Sequence, residues 1–342
     1  MPPNASPQGL RRNPAIGFPR LGIPLTRIVE SDSPRDQMKL AEVGTFLQVG
    51  ALMILTRRQI LASLGGLPCL SLPPLQGAPR VPGSLEFLVV SDTHLGYKDQ
   101  DAAEQQWVRT AAALEASTGA FVLHLGDVVD GGREEQYPRY LAGRKAITKT
   151  VLEIPGNHDP AGLFQRHLRQ QVDTVHVQDW LRVILLNNAR RDSHAGFLTP
   201  EQVRWVRSEC GKAVANGQWV ILAMHVPLHA NKHPDRGWFV APDQGQTALY
   251  ECLAEHSGRI LALFHGHFHN GLRGWDDHPP MHEIVFPSAL YNQDRKLEDQ
   301  HAPGWNPPAF HPGFTRVKID DQGIHLSYQP VGSGETVTKS LA

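Results

Sequence analysis

The feature that most constrains this chain is a series of short, mostly apolar runs that each stop at a residue able to hold a metal ion. Leu85 to Val90 runs into Ser91-Asp92-Thr93-His94, and Ala120 to Leu125 into Gly126-Asp127. Val151 to Ile154 leads to Gly156-Asn157-His158-Asp159, Trp219 to Met224 to His225, and Ile260 to Phe264 to Gly266-His267-Phe268-His269. Runs of this length, bounded by turn residues, read as strands buried on both faces. Leu181 to Leu186 and Glu283 to Phe286 add two more.

Amphipathic stretches alternate with these runs, so the spacing predicts an α/β domain. Ala102 to Ser117 places Trp107, Val108, Ala111 and Leu114 at helical spacing. Pro200 to Ala215 follows Thr199, a natural N-cap. Phe314 to Ile319 and Ile324 to Tyr328 flank Asp-Asp-Gln-Gly and predict a closing hairpin. In open α/β sheets the loops beyond the strands' carboxyl ends converge on one crevice, so polar residues far apart in sequence can meet there.

Charge narrows the choice of ligand. The 342 residues carry a net charge of −1, but the first eighty hold nine of the 33 basic groups and four of the 34 acidic ones. The remainder therefore has 24 basic against 30 acidic groups, which argues against a long nucleic acid as partner, since phosphate backbones draw affinity from Lys and Arg. Three cysteines give no CxxC pair and no zinc-finger spacing. Cys210 and Cys252 fall on apolar helix faces as small buried hydrophobes; spacing leaves a disulfide between them open if the protein is exported.

Residues 1–52 are expected to be a disordered or misassigned N-terminal extension; in residues 1–37, Pro, Ser, Asn and Arg without apolar periodicity cannot repay the entropy of ordering. Residues 53–80 have the layout of an export signal, with Arg57-Arg58 before an uncharged apolar run from Ile60 to Leu72 that is short for a membrane span. The string Thr56-Arg-Arg-Gln-Ile-Leu resembles a twin-arginine leader, and Met53 then becomes a candidate start. The expectation is an exported protein, handled by the twin-arginine machinery, with no stable membrane span once mature. Residues 81–335 form the folded domain.

Carboxylate, imidazole and amide donors without thiolate suit Mn, Fe or Zn. One carboxylate shared by two ions would hold them about 3.5 to 4 Å apart, the separation of two-metal hydrolases. A lone strand-terminal Asp or His is more often a capped loop than a ligand. The ordered set, Asp-x-His, Gly-Asp-x-x-Asp, Gly-Asn-His-Asp, His and Gly-His-x-His, closely resembles the calcineurin-like metallophosphoesterases over residues 85 to about 330. That resemblance implies a four-layer α/β/β/α sandwich of two mixed sheets, with a dimetal site at the carboxyl ends of the strands. It implies one divalent or trivalent ion held by Asp92, His94, Asp127 and His269, and a second held by Asp127, Asn157, His225 and His267. A bridging hydroxide would then attack the phosphate ester, His158 would protonate the leaving oxygen or hydrogen-bond the phosphoryl group, and Asp159 would orient His158. Asp130 stands where purple acid phosphatases have a tyrosine, so no tyrosinate-iron colour is expected.

The stretch from Asn187 to Trp205, with Gly196-Phe197-Leu198 and Gln202, is similar to the cyclic-nucleotide phosphodiesterase-like branch. Trp205 could equally pack its helix on a sheet. His229, His233, Arg236, Trp238 and Phe239 occupy a long loop after His225 of the kind that walls a substrate pocket, and His265 is expected to face away from the ligands. The expected activity is hydrolysis of a small phosphodiester or phosphomonoester. The alternatives are a nuclease, disfavoured by charge, and a metal-free protein-binding scaffold, disfavoured because no ligand position is lost.

Overall fold

The computed structural model describes residues 81–230, 237–275, 281–292, 310–332 and 335–341, all within the compact unit Ser71–Ala342. The expected extension and leader, together with His233 and Arg236, lie outside the described residues.

Eleven strands are described: β1 Leu85–Val90, β2 Phe121–His124, β3 Thr150–Glu153, β4 Thr174–Gln178, β5 Leu181–Leu186, β6 Trp219–Met224, β7 Ile260–His265, β8 His282–Val285, β9 Gly313–Asp320, β10 Gly323–Pro330 and β11 Val337–Leu341. The helices are α1 Gln100–Ala116, α2 Gln136–Arg144, α3 Ala161–His167, α4 Pro200–Ala215 and α5 Gln246–Ala254. One sheet has the order β11-β10-β9-β1-β2-β3 and the other β4-β5-β6-β7-β8. Both are mixed. β1, β2 and β3 run parallel while β9 pairs antiparallel with β1; β5 to β8 run parallel while β4 pairs antiparallel with β5.

Side-chain alternation along each strand produces the layers. Phe87 and Val89 of β1 enter a core shared with Val183 and Leu185 of β5 and with Ile221 and Phe264. The intervening Leu88 and Val90 instead meet Trp107, Ala111 and Leu114 of α1. On the other sheet Ile184 and Leu186 pack against Val203, Val206 and Cys210 of α4 and Leu249 and Cys252 of α5. Helices thus cover the outer face of each sheet, giving the four layers α/β/β/α. Both described cysteines are buried and free.

Local chemistry fixes the helix starts. Asp99 caps α1 by accepting from the Asp101 and Ala102 amides. Thr199 and Gln202 form a reciprocal capping box at α4, with Pro200 in the first turn. No helix among the described residues is long and apolar enough to cross a membrane.

The sandwich joins its layers at one edge. The Asp92 and His94 amides donate to the carbonyls of Gly126 and Asp127 at 3.0 and 2.9 Å, tying the ends of β1 and β2 together. Gly266 donates to the His225 carbonyl at 3.1 Å within the second sheet. The two sheets are then linked by His225 Nδ1, 2.7 Å from the Leu125 carbonyl.

Candidate metal centre

Five loops meet at this edge in an unusual backbone conformation. Seven described residues other than glycine have positive φ, and five of them are Asp92, His94, Asp127, His267 and His269, between 41° and 77°. Such conformations cost about 1–3 kcal/mol each and persist only where the surroundings over-determine them. Gly156 makes the close approach possible: a Cβ there would collide with the Asp127 side chain and amide.

Hydrogen bonding at the rim sets which nitrogen of each ring faces inward. His225 Nδ1 lies 2.7 Å from the Leu125 carbonyl, His267 Nε2 2.9 Å from the His194 carbonyl, and His269 Nδ1 2.9 Å from the Tyr291 carbonyl. A carbonyl only accepts, so each of these nitrogens carries a proton. His94 Nδ1 similarly faces the Asp130 carboxylate at 3.2 Å. The lone pairs left over belong to His94 Nε2, His225 Nε2, His267 Nδ1 and His269 Nε2, and they face one another in pairs. His94 Nε2 is 3.1 Å from His269 Nε2, and His225 Nε2 is 3.2 Å from His267 Nδ1. At that distance each pair needs a positive charge shared between its nitrogens, supplied by a proton or by a metal ion.

Asp127 joins the pairs. Its Oδ2 is 3.4 Å from His94 Nε2 and 3.2 Å from His225 Nε2, while Oδ1 accepts the His158 amide at 2.9 Å. Asp92 Oδ1 is 3.0 Å from His269 Nε2. Asn157 Oδ1 is buried without a hydrogen-bond partner, a costly state for an amide oxygen. Asp92, His94, Asp127 and His269 form one cluster of closely grouped donor atoms, and Asp127, His225 and His267 a second. Two facing imidazole pairs, a shared carboxylate oxygen and an orphaned amide oxygen fit a pair of cations.

Electrostatics show the same demand for positive charge. Burial opposes ionisation of Asp127, but His225 and His94 outweigh it and hold the carboxyl far below the usual range. Burial also opposes protonation of His94 and His225, yet Asp127 above all pushes them up to about 10 and about 9. His267 goes the other way, held low by burial and by His225.

The structure assigns the partner of His158 differently from the sequence reading. His158 Nδ1 lies 3.2 Å from Asp130 Oδ1, the same oxygen that faces His94. The Asp159 carboxylate is taken up by backbone: it accepts the Val128, Val129 and Gly156 amides at 3.0, 3.1 and 2.9 Å. Burial, with Asp127 nearby, pushes Asp159 up to about 6. Asp159 therefore shapes the loops, and Asp130, visible as the second acid of Gly-Asp-x-x-Asp, is the residue that faces His158.

Gln202 donates to the Asn187 carbonyl and to Asp173 at 2.7 and 3.0 Å, and Trp205 packs against the helix-side core, so this stretch braces the loop rather than lining the centre. Asn188 in turn clamps Val226 through both of its backbone groups. His265 sits away from the ligands, its Nε2 3.1 Å from Glu283, which His229 Nδ1 also meets at 2.9 Å. Above the centre a compartment of about 50 Å3 is lined by Asn157, His158, Trp238 and Tyr291 among others. Beside it a cavity of about 370 Å3 is bounded by Asn157, His158, Arg191, Asp192, Ser193 and His194. Stacked pairs flank the site, Tyr97 with Tyr291 at 4.4 Å and His194 with Trp238 at 4.5 Å. Arg191, His194 and Tyr291 carry no motif that sequence alone could have singled out.

Fold and site together define a metal-dependent phosphoester hydrolase. The chain belongs to the calcineurin-like phosphoesterase family (Metallophos), whose pattern matches residues 85–271. It is 31% identical over 275 residues to a probable cyclic nucleotide phosphodiesterase of Rhodococcus erythropolis, covering 75% of this chain and 87% of that protein. It is 27% identical over 202 residues to the glycerophosphodiester phosphodiesterase GpdQ of Enterobacter lignolyticus, covering 53% and 69%. A dimetal phosphatase of Danio rerio shares the fold with a TM-score of 0.55 and 14% identity, over 75% of this chain and 99% of that one.

Proposed function

We propose that this enzyme hydrolyses a small phosphodiester, a cyclic nucleotide or a glycerol diester, with two ions drawn from Mn, Fe and Zn. The observation that carries the reading is the pair of facing imidazole lone pairs on either side of Asp127 Oδ2. Asp92, His94, Asp127 and His269 would hold one ion, and Asp127, Asn157, His225 and His267 the other. Ions bound there would supply a nucleophile by lowering the pKa of water and would neutralise charge on the phosphoryl oxygens.

The protein's own groups then bind and orient the ester. Asp130 would accept from Nδ1–H of His158 and so orient the ring, and the ring, when doubly protonated, would give its Nε2 proton to the leaving oxygen. Asn157 and His158 border both the compartment over the centre and the larger cavity, so the leaving group extends toward Arg191. The choice of a diester over a monoester follows the phosphodiesterase names of the two relatives. The test is metal analysis combined with kcat/KM for bis(p-nitrophenyl) phosphate and p-nitrophenyl phosphate. Diester preference that is lost with chelator and restored by metal is expected; chelator-insensitive turnover, or monoester preference, overturns the reading.

We also infer export, supported by the Arg57-Arg58 string ahead of a domain that would need its metals inserted during folding. Fractionation should find the wild type outside the cytoplasmic membrane and Arg57→Lys/Arg58→Lys inside. Unprocessed wild type confined to the cytosol would refute it.

A further inference from the structure

His124 is a polar residue in a strand that is otherwise apolar, and it is fully buried at the carboxyl end of β2. Its ring stands edge-on to Trp107 and Tyr140, with centroids 6.2 and 5.8 Å away. A phenyl ring would fill this aromatic box as well and require no hydrogen bonds. The imidazole makes two. Nδ1 accepts the Gly126 amide at 3.2 Å, so the ring proton must be on Nε2, which faces Thr93 Oγ1 at 3.0 Å. Thr93 donates its own hydroxyl to the Val128 carbonyl at 2.9 Å. Every donor in the chain Gly126 to His124 to Thr93 to Val128 meets one acceptor, which is the arrangement that makes a buried polar network rigid. Burial keeps the ring neutral, lowering its pKa to about 3.

The network ends on the two loops that carry the first ion's ligands. Thr93 lies between Asp92 and His94, and Gly126 directly precedes Asp127; all three ligand residues hold positive φ. Their strained backbones need fixed neighbours on the side away from the ions, and His124 is placed there. We propose that His124 is a positioning residue for the metal centre: through Thr93 and the Gly126 amide it fixes the spacing of the two loops, and with it the affinity of the Asp92, His94, Asp127 and His269 site. The inference rests on the two-ion reading of the site.

The test is Mn(II) titration of the metal-free full-length protein, followed by electron paramagnetic resonance, which separates isolated ions from a coupled pair. Partners one shell removed from a metal are worth about 10- to 100-fold in affinity. His124→Phe should weaken binding of one ion by about that factor and diminish the coupled signal at two equivalents. Thr93→Val, which only exchanges the hydroxyl for a methyl, should show the same defect, and Thr93→Ser, which keeps the hydroxyl, should behave as wild type. Because the two residues act as one unit, the double variant should be no worse than the more affected single variant. Should His124→Phe fail to fold, the Thr93 pair decides alone. Wild-type affinity and a wild-type coupled signal in Thr93→Val, or losses that add in the double variant, would overturn the proposal. A wild type that binds fewer than two Mn(II) ions overturns the site reading itself, which separates the two failures.

Discussion

The two halves of the centre share Asp127 but are supported in different ways. In the first half His269 is backed by the Tyr291 carbonyl, but His94 is backed by a carboxylate, Asp130, whose side chain is 24% exposed. In the second half His225 and His267 are backed by the carbonyls of Leu125 and His194. The charge behind the second half sits one layer further out. Buried Glu283 accepts the Leu228 and His229 amides at 2.9 and 3.0 Å, just after His225, and lies 3.1 Å from His265, two residues before His267. Tyr250 adds a 2.7 Å hydrogen bond to the same carboxylate. A first half tuned by a nearby charge should respond to mutation in its chemistry, whereas a second half held by backbone should respond in its stability.

Removing the shared element should abolish the distinction. Asp127→Ala takes an oxygen from both imidazole pairs, so metal content and turnover should fall together. The loss should exceed the roughly ten-thousand-fold ceiling of a single general acid. Metal analysis that finds two ions in an active variant would show that Asp127 is not the bridge.

The next effect in size belongs to His158. General acid catalysis contributes about a hundred- to ten-thousand-fold, and more for a poor leaving group than for a good one. His158→Ala should lose about that much with an alkyl leaving group and far less with p-nitrophenolate, while keeping its metals. Equal losses in kcat/KM with both would reassign His158 to binding the phosphoryl group.

Asp130 and Asp159 sharpen the comparison, because one faces two imidazoles and the other faces three amides. Asp130→Asn should weaken the first ion about 10- to 100-fold and reproduce the His158 leaving-group pattern in milder form. Asp159→Asn should do neither. It should lower unfolding free energy by about 1–3 kcal/mol, the cost of buried amides left poorly paired, with an unchanged ratio between the two leaving groups. A leaving-group dependence in Asp159→Asn rather than in Asp130→Asn would reverse the assignment.

That assignment marks the limit of what the sequence could tell. Strands buried on both faces are continuous apolar runs, so β1, β5 and β6 could be delimited from Leu85, Leu181 and Trp219 onward, and Thr199 announced α4. β4 and β11 could not, because edge strands such as Thr174–Gln178 are only half-buried and mix polar with apolar residues. The meeting of Asp92, Asp127 and His225 was legible because strand ends in this topology converge. The orientation of a side chain was not. Asp159 is next to His158 in sequence, yet the turn that closes with its amide on the Gly156 carbonyl at 3.1 Å sends its carboxylate to the Val128 and Val129 amides. Adjacency along a chain says little about direction within a turn. The same limit hid Glu283, which sequence shows only as an acidic residue in an apolar run.

Glu283 supplies the smallest and most indirect effect, and it tests the second half. Burial opposes its ionisation, but His229 and His265 outweigh this and hold the carboxyl well below its ordinary value of 4.5. A carboxyl depressed in the folded state stabilises fully above its unfolded pKa, and that contribution is lost as the pH falls from about 4.5 toward the folded value. His265, lowered from 6.5 chiefly by burial, acts in the same direction, because the unfolded chain takes up a proton there first. Glu283→Gln keeps the shape and removes the charge. It should cost about 1.5–3 kcal/mol at neutral pH, the worth of hydrogen bonds to a charged group. The gap from wild type should narrow steadily below pH 4.5. Urea unfolding from pH 7 down to pH 3.5 measures the gap directly. A gap that stays constant over that range would mean that the carboxylate holds the loops by shape alone, and that the second half owes nothing to charge.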